Sequence, residues 1–390
     1  MDTVILDNRT EDEVKLSLNG RIDAQNANEV ASTIDGFLSG FEGQRLLVVC
    51  TKLKYISSAG LRIFLKLKKS YPDIRIVDVS NDVYDIFEMT GFTEILDVER
   101  SYRRISIEGC EKIGEGANGA VYRIDPETIV KVYKNNGSID SIKHERDVAK
   151  RALILGIPTA ISYDIVRVGE HYASVFELIN AKSFSQIVAT EPERMDECID
   201  LSVSVLKQIH GTEVPYGELP DQKAFVLTWL DDVVDVIPKD MLDRIRDLIE
   251  AIPQSNHILH GDFHTKNLML QDGEPIMIDM DTLCLGNPVF EFSPIFNAYR
   301  GYGELNKQIV TDFLGIDWEQ AQYFMEELFK RYLGTDDENT LMDAERKAMV
   351  LGYLRIIRHA VRKENGNADH IKHALDRLSE ILPLVNDLAF

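Results

Sequence analysis

Two neighbouring motifs constrain this chain more than anything else in it: His260-Gly261-Asp262-Phe263-His264-Thr265-Lys266-Asn267, then Ile278-Asp279-Met280-Asp281. Asp262 stands five residues before Asn267, and Asp279 twelve residues after it. Between them run Leu268-Met269-Leu270, a turn at Gln271-Asp272-Gly273-Glu274-Pro275, and Ile276-Met277-Ile278. This is the pattern of two short strands joined by a tight loop. A hairpin of that length returns Asn267 and Asp279 to the same end. Their oxygens suit a hard cation such as Mg²⁺. Asp262 is then free to orient or deprotonate an attacking hydroxyl. His, Asp and Asn in loops also cap turns without doing chemistry, so an independent pattern must support the assignment.

One lies upstream. Gly114-Glu115-Gly116-Ala117-Asn118-Gly119-Ala120-Val121 fits G-x-G-x-x-G-x-V and leads into the β-prone residues Tyr122 and Ile124. Thr128-Ile129-Val130-Lys131-Val132-Tyr133 then reads as a second strand carrying a lysine. The spacing is not that of a Walker loop, and no strand-then-helix context of a dinucleotide fingerprint surrounds it. A helical pattern from about Ser141 through Leu155 stops at Gly156, a C-terminal cap. Its apolar face holds Ile142, Val148, Ala149, Ala152 and Leu153. Glu145 lies one turn before Ala149 and can face Lys131, whereas Asp147, two residues on, points away. A further strand pattern, Tyr172 to Ile179, follows.

Taken together, residues from about 104 to 390 resemble the aminoglycoside phosphotransferase and choline kinase branch of the protein-kinase-like fold. His260-Gly261-Asp262-x-His264-x-x-Asn267 is similar to its catalytic loop, and Ile278-Asp279-x-Asp281 to its metal-binding segment. Gly286-Asn287-Pro288-Val289-Phe290-Glu291 resembles the stretch that follows, with Glu291 where the family usually has Asp. The resemblance implies ATP-dependent phosphoryl transfer to a hydroxyl. Asp262 would be the catalytic base, with Asn267 and Asp279 on Mg²⁺. Gly114, Gly116, Gly119, Val121, Lys131 and Glu145 would hold the ATP phosphates. Glu177 to Ile179 is where the adenine would meet the segment joining the two lobes. His260, His264 and Asp281 are secondary candidates. The full glycine pattern is closer to protein kinases than to many small-molecule kinases, so the acceptor class stays open.

The first hundred residues read differently. Strands are expected at Thr3–Leu6, Val14–Leu18, Leu46–Cys50 and Ile74–Val77. Helices are expected at Gln25–Leu38, Ser58–Lys69 and Val83–Met89. Such an order predicts a mixed sheet with helices packed on it. Leu18-Asn19-Gly20-Arg21-Ile22-Asp23, Tyr55-Ile56-Ser57-Ser58-Ala59-Gly60-Leu61-Arg62 and Phe87-Glu88-Met89-Thr90-Gly91-Phe92 resemble the STAS domain of anti-sigma-factor antagonists. That resemblance implies a phosphorylatable serine at the start of the helix carrying Gly60-Leu61, which places it at Ser58. Phosphate at a helix start meets unpaired backbone N–H groups and the positive end of the helix dipole. A serine there also simply caps the helix.

The expected organisation is therefore a STAS-like domain over 1–101 and a two-lobed kinase-like domain over 102–390. The small β-rich lobe covers about 104–180, and the large helical lobe about 181–390. Asp317–Phe329, Ala348–Ile357 and Ile371–Leu382 are expected helices, the last stopped by Pro383. Asp231, Asp232 and Asp235 read as a solvated face rather than as acceptor ligands.

Charge closes off some classes. The chain holds 65 acidic and 43 basic residues, for a net charge of −22. It should repel nucleic acid and favour a cationic acceptor. Four cysteines, Cys50, Cys110, Cys198 and Cys284, show no paired metal spacing and suit reduced thiols in a cytoplasm. Neither a signal peptide nor a membrane-length apolar run is expected. Three functions remain. The first is a Mg²⁺- and ATP-dependent phosphotransferase with a regulatory or docking STAS domain that also offers a protein-binding surface. The second is a non-enzymatic partner-switch protein that senses nucleotide. The third is a serine/threonine kinase acting on STAS serines.

Overall fold

A computed structural model describes residues 3–41, 45–115, 119–134, 139–363 and 367–390. The chain forms two compact units, Met1–Ser106 and Ile107–Phe390. Gly116 of the glycine motif lies outside the described residues.

In the first unit, five strands lie side by side in chain order: β1 (Val4–Arg9), β2 (Glu13–Ile22), β3 (Arg45–Ile56), β4 (Arg75–Val79) and β5 (Asp97–Arg100). β1 and β2 are antiparallel, and the remaining neighbours are parallel, so the sheet is mixed as the pattern predicts. Parallel neighbours need crossovers, and the helices α1 (Ala27–Phe37), α2 (Ser58–Ser70) and α3 (Asn81–Met89) supply them. Alternation along β2 sends Val14, Leu16 and Leu18 inward against Val30, Ile34, Phe64 and Phe87 of the helices. Two differences from expectation are instructive. β3 runs on to Ile56 because Leu53 and Ile56 stay buried through a polar stretch. β5 is new, and it escaped notice because Asp97-Val98-Glu99-Arg100 offers one apolar residue in four. That is how an edge strand resists pairing with another chain.

In the second unit, five antiparallel strands lie in the order Glu111–Glu115, Gly119–Arg123, Thr128–Tyr133, His171–Glu177 and Ser162–Val168. The helix Ile139–Ile154 buries Ile142, Val148, Ala149 and Ala152, while Leu153 of the expected apolar face is exposed. The chain reverses at Gly156, as expected. The rest is mainly helical around one core. At its centre runs Val289–Tyr299, whose Phe292, Phe296 and Tyr299 are all fully buried. Trp318–Leu333 begins with a reciprocal cap, in which Asp317 accepts from the Gln320 N–H and Gln320 accepts from the Asp317 N–H. The expected Ala348–Ile357 helix is the middle of a longer one, Glu338–Arg362, and Ala368–Ile381 ends before Pro383. Among the described residues no helix is long and apolar enough to cross a membrane.

Candidate active site

The hairpin expected from the spacing forms from Leu268–Gln271 and Glu274–Met277, with Leu268 opposite Met277. The Ile278 N–H donates to the Asn267 carbonyl at 2.9 Å, which closes the open end of the hairpin. Asn267 and Asp279 are thereby brought to one end. Asn267 is buried, and its Nδ2 donates to the Asp262 carbonyl at 3.0 Å. That bond uses the donor end of the amide and leaves its oxygen for another partner. Asp279 adopts left-handed backbone at φ 63° without being glycine, a conformation that costs of order 1 kcal/mol or more.

Lys131 meets that carboxylate. Its Nζ lies 2.8 Å from Glu145 Oε1 and 2.9 Å from Asp279 Oδ1. Glu145 is held from behind by the Tyr133 hydroxyl at 2.8 Å. Burial works against the Lys131 ammonium, but Asp279 and Glu145 outweigh it and hold its pKa above the ordinary lysine value. Asp147 pairs instead with its neighbour Arg146 and is exposed, as helix geometry predicts. Val121 lies directly across the sheet from Lys131. Gly119 is needed by close approach, since a Cβ there would sit 2.3 Å from the Val132 carbonyl oxygen. Gly114 pairs with Val121 in the same hairpin. At the far end of the sheet the Glu177 and Leu178 N–H groups are committed to the Ile161 and Glu127 carbonyls at 3.0 and 2.7 Å. Ile179, next along, is half-buried.

The loop bearing Asp262 is braced from below. Glu291 is fully buried and accepts from the His260 N–H at 2.5 Å and from the Gly261 N–H at 3.0 Å. Burial pushes its carboxyl up, yet the His210 and His260 side chains and the Gly261 N–H bring it below the usual carboxylate value. Gly261 sits at φ 83°, where a Cβ would also meet the Thr282 carbonyl oxygen at 2.6 Å. The Thr282 hydroxyl donates to the His260 carbonyl at 2.7 Å. His260 is buried, and its Nδ1 accepts from the Asp262 N–H at 3.2 Å. His264 Nε2 lies 3.5 Å from Asp262 Oδ2, and Arg355 lies 3.5 Å from Oδ1. Burial raises the Asp262 carboxyl, but His264, Arg355 and His260 together bring it down to about 2. Asp281 differs: burial first, then the charges of Asp279 and Glu145, push it up to about 7.

The residues converge on one oxygen-rich end, and the comparisons name its family. The model of the phosphotransferase enzyme family matches residues 109–324, more than half of the chain. The chain belongs to the phosphotransferase enzyme family. Residues 5–105 match the STAS domain. Among solved structures, a thermostable mutant of the aminoglycoside phosphotransferase APH(4)-Ia, in ternary complex with ADP and hygromycin B, is similar. It has 16% identity and a TM-score of 0.51, covering 71% of this chain and 96% of that one. A second thermostable mutant of that enzyme, with AMP-PNP and hygromycin B, gives 16% identity and a TM-score of 0.50 over 70% and 93%. At that identity the likeness speaks for the kinase-like fold alone. No curated protein matches the sequence.

Within this phosphotransferase, sequence reasoning missed two groups. Glu291 stood out only as part of a motif, and Arg355 not at all. Each carried a signal: a lone charge within an apolar helical run, Val289-Phe290-Glu291-Phe292 and Tyr353-Leu354-Arg355-Ile356-Ile357. Long charged side chains enter such runs when a partner waits for them. Asp231, Asp232 and Asp235 are all exposed, as a solvated face requires, and Asp232 also accepts from Arg358 Nε at 2.6 Å.

Proposed function

We propose that the chain transfers the γ-phosphoryl group of Mg²⁺·ATP to a hydroxyl, on a small molecule rather than on a protein. The observation that carries this reading is the Glu145–Lys131–Asp279 chain at 2.8 and 2.9 Å, which joins the glycine-hairpin sheet to the segment beside the Asp262 loop. Protein kinases need the lysine–glutamate pair of this chain in place for activity. Lys131 would hold the ATP phosphates, under Gly114, Gly119 and Val121. Gly116 belongs to the same proposed loop. The segment from Glu177 to Ile179 would receive the adenine.

The Asn267 amide oxygen and the Asp279 carboxylate suit Mg²⁺, a cation that takes few protein ligands and shares the rest with phosphates. Among the described residues no cluster of three or more His, Cys, Asp or Glu forms a metal cage, which fits that mode. When bound, the metal neutralises charge on the phosphates. Asp262 takes the hydroxyl proton as the acceptor O–P bond forms and the bond to the ADP oxygen breaks. His264 and the buried His260 keep its carboxylate ionised and its backbone in place.

Asp279→Ala is expected to weaken Mg²⁺·ATP binding by about tenfold or more while leaving adenosine affinity nearly unchanged. Calorimetry with both ligands checks this, and equal losses would remove Asp279 from the metal. Turnover of ATP with Mg²⁺, with and without hydroxyl acceptors, tests the whole reading.

The STAS unit is proposed to regulate or dock. Ser58 is exposed at the first turn of α2, and the preceding Ser57 makes no side-chain capping bond. A phosphate at Ser58 would add about −1.5 to −2 charges to a surface without breaking a cap. Ser58→Ala is expected to leave ATP binding unchanged and to alter binding of a protein partner. Peptide mapping after incubation with labelled ATP separates the cases: label at Ser58 that vanishes in Asp262→Asn would make this unit the kinase's own substrate. ATP as donor and four free cysteines fit a cytoplasmic setting.

A further inference from the structure

A helix that reaches Asp262 carries a row of basic side chains, in a chain that is acidic as a whole. The helix Glu338–Arg362 presents Arg355, Arg358, His359 and Arg362 at i, i+3, i+4 and i+7, which is one face. Their partners differ. Arg358 Nε is bound to Asp232 at 2.6 Å and its guanidinium lies over the Phe225 and Trp229 rings, at 5.7 and 5.1 Å. Arg362 leans on the same Asp232 at 3.6 Å. One carboxylate thus serves two guanidinium groups. Among the described residues Arg355 has one loose ion pair, 3.5 Å from the catalytic Asp262 itself. A guanidinium offers five donors in a fork that matches carboxylate and phosphate. At Arg355 that fork is half-buried and lies beside the carboxylate that would take the acceptor's proton.

Acidic groups nearby do not cancel this charge. Glu304 is bound by the Tyr353 hydroxyl at 2.7 Å and by His373 at 2.6 Å. Asp281 is half-buried and lies near Asp279, Glu145 and Lys131 as well as Asp262. The local field is visible at His359, whose pKa is lowered by burial and then by Lys363, Arg355 and Arg358. The net charge of −22 does not reverse that effect, since exposed charges farther than about 8 Å are screened at physiological salt.

We infer that the acceptor of this site carries a carboxylate or phosphate ester close to the reacting hydroxyl, and that Arg355 binds that anionic group. The inference rests on the phosphotransferase reading. An acceptor bearing ammonium groups would meet four cationic or protonatable side chains on one helix face. A hydroxy acid or sugar phosphate would draw Arg355 off Asp262 and onto itself. The catalytic carboxylate would then be released to take the proton as the acceptor arrives. Arg355 acts on substrate charge and on the freedom of Asp262, while the proton itself goes to Asp262.

The test uses the full chain saturated with Mg²⁺ and AMP-PNP, so that added anions do not occupy the nucleotide site. Glycerol, glycerate, glycerol 3-phosphate and hygromycin B are titrated in turn by calorimetry. Both three-carbon anions are expected to bind, and glycerol and hygromycin B to bind more weakly than either. The stronger anion tells carboxylate from phosphate. Arg355→Ala is expected to weaken anion binding by about tenfold or more, the usual worth of a charge-assisted hydrogen bond. Arg355→Lys, which keeps the charge but not the fork, should recover part of it. AMP-PNP affinity reports that each variant is folded. Hygromycin B binding more tightly than both anions overturns the inference. So does anion affinity unchanged in Arg355→Ala, or no anion binding at millimolar concentration. Failure of the unsubstituted chain to bind Mg²⁺·AMP-PNP would instead sink the phosphotransferase reading, and this inference with it.

Discussion

Asp262→Asn is expected to lower kcat for phosphoryl transfer by about 10²–10⁴-fold while leaving Mg²⁺·ATP affinity within a small factor. The substitution keeps the shape of the side chain and its place in the loop. It removes the negative charge that would receive the hydroxyl proton and that His264 and Arg355 face at 3.5 Å. Single-turnover rates with a competent acceptor check the loss. An Asp262→Asn variant as fast as the parent would show that Asp262 neither takes the proton nor places the acceptor. The acid side of the pH profile adds a second reading. The Asp262 carboxyl is held at about 2, below its ordinary value, so it stays ionised at neutral pH. The contribution of its pairing to stability is fully present above the unfolded carboxylate range and is lost as pH falls through about 2. An acid limb in kcat/KM above about pH 4 would therefore belong to another group.

Glu291→Ala is expected to have the largest effect on folding, about 3–5 kcal/mol of destabilisation with loss of activity. The carboxylate is fully buried and accepts the N–H groups of His260 and Gly261. Alanine would leave both donors unpaired in the core and open a cavity beneath the Asp262 loop. Denaturant unfolding gives the stability, and nucleotide binding reports the damage to the site. Glu291→Asp, the residue usual in the family, is the milder variant: it keeps the charge but shortens the reach. It should recover part of the stability, and the activity it recovers measures how far the loop has moved. If Glu291→Ala unfolds at the same denaturant concentration as the parent, the brace does not hold the loop.

Glu291 and Arg355 also show what the linear chain conceals. The STAS sheet was readable because Leu46 to Cys50 and Val14 to Leu18 carry the periods of buried strands. The short edge Asp97–Arg100 was not, because edge strands are built to look polar. The hairpin was readable because its turn and both ends, Asn267 and Asp279, lie close together in the chain. Helix boundaries at Gly156, Asp317 and Pro383 were readable from caps and breakers, which act within one or two turns.

Sequence by itself determined most element types, the hairpin that brings Asn267 and Asp279 together, and the choice of Glu145 over Asp147. All of these follow from local spacing, where backbone geometry alone decides which side chains share a face. Tertiary structure decided what no spacing carries. It brought Lys131 to Asp279 across 148 residues. It set Glu291 beneath the His260–Gly261 amides and turned Arg355 of a distant helix toward Asp262. Such pairings depend on how separate elements pack, and a buried charge is placed by the partner that compensates its desolvation, wherever in the chain that partner lies.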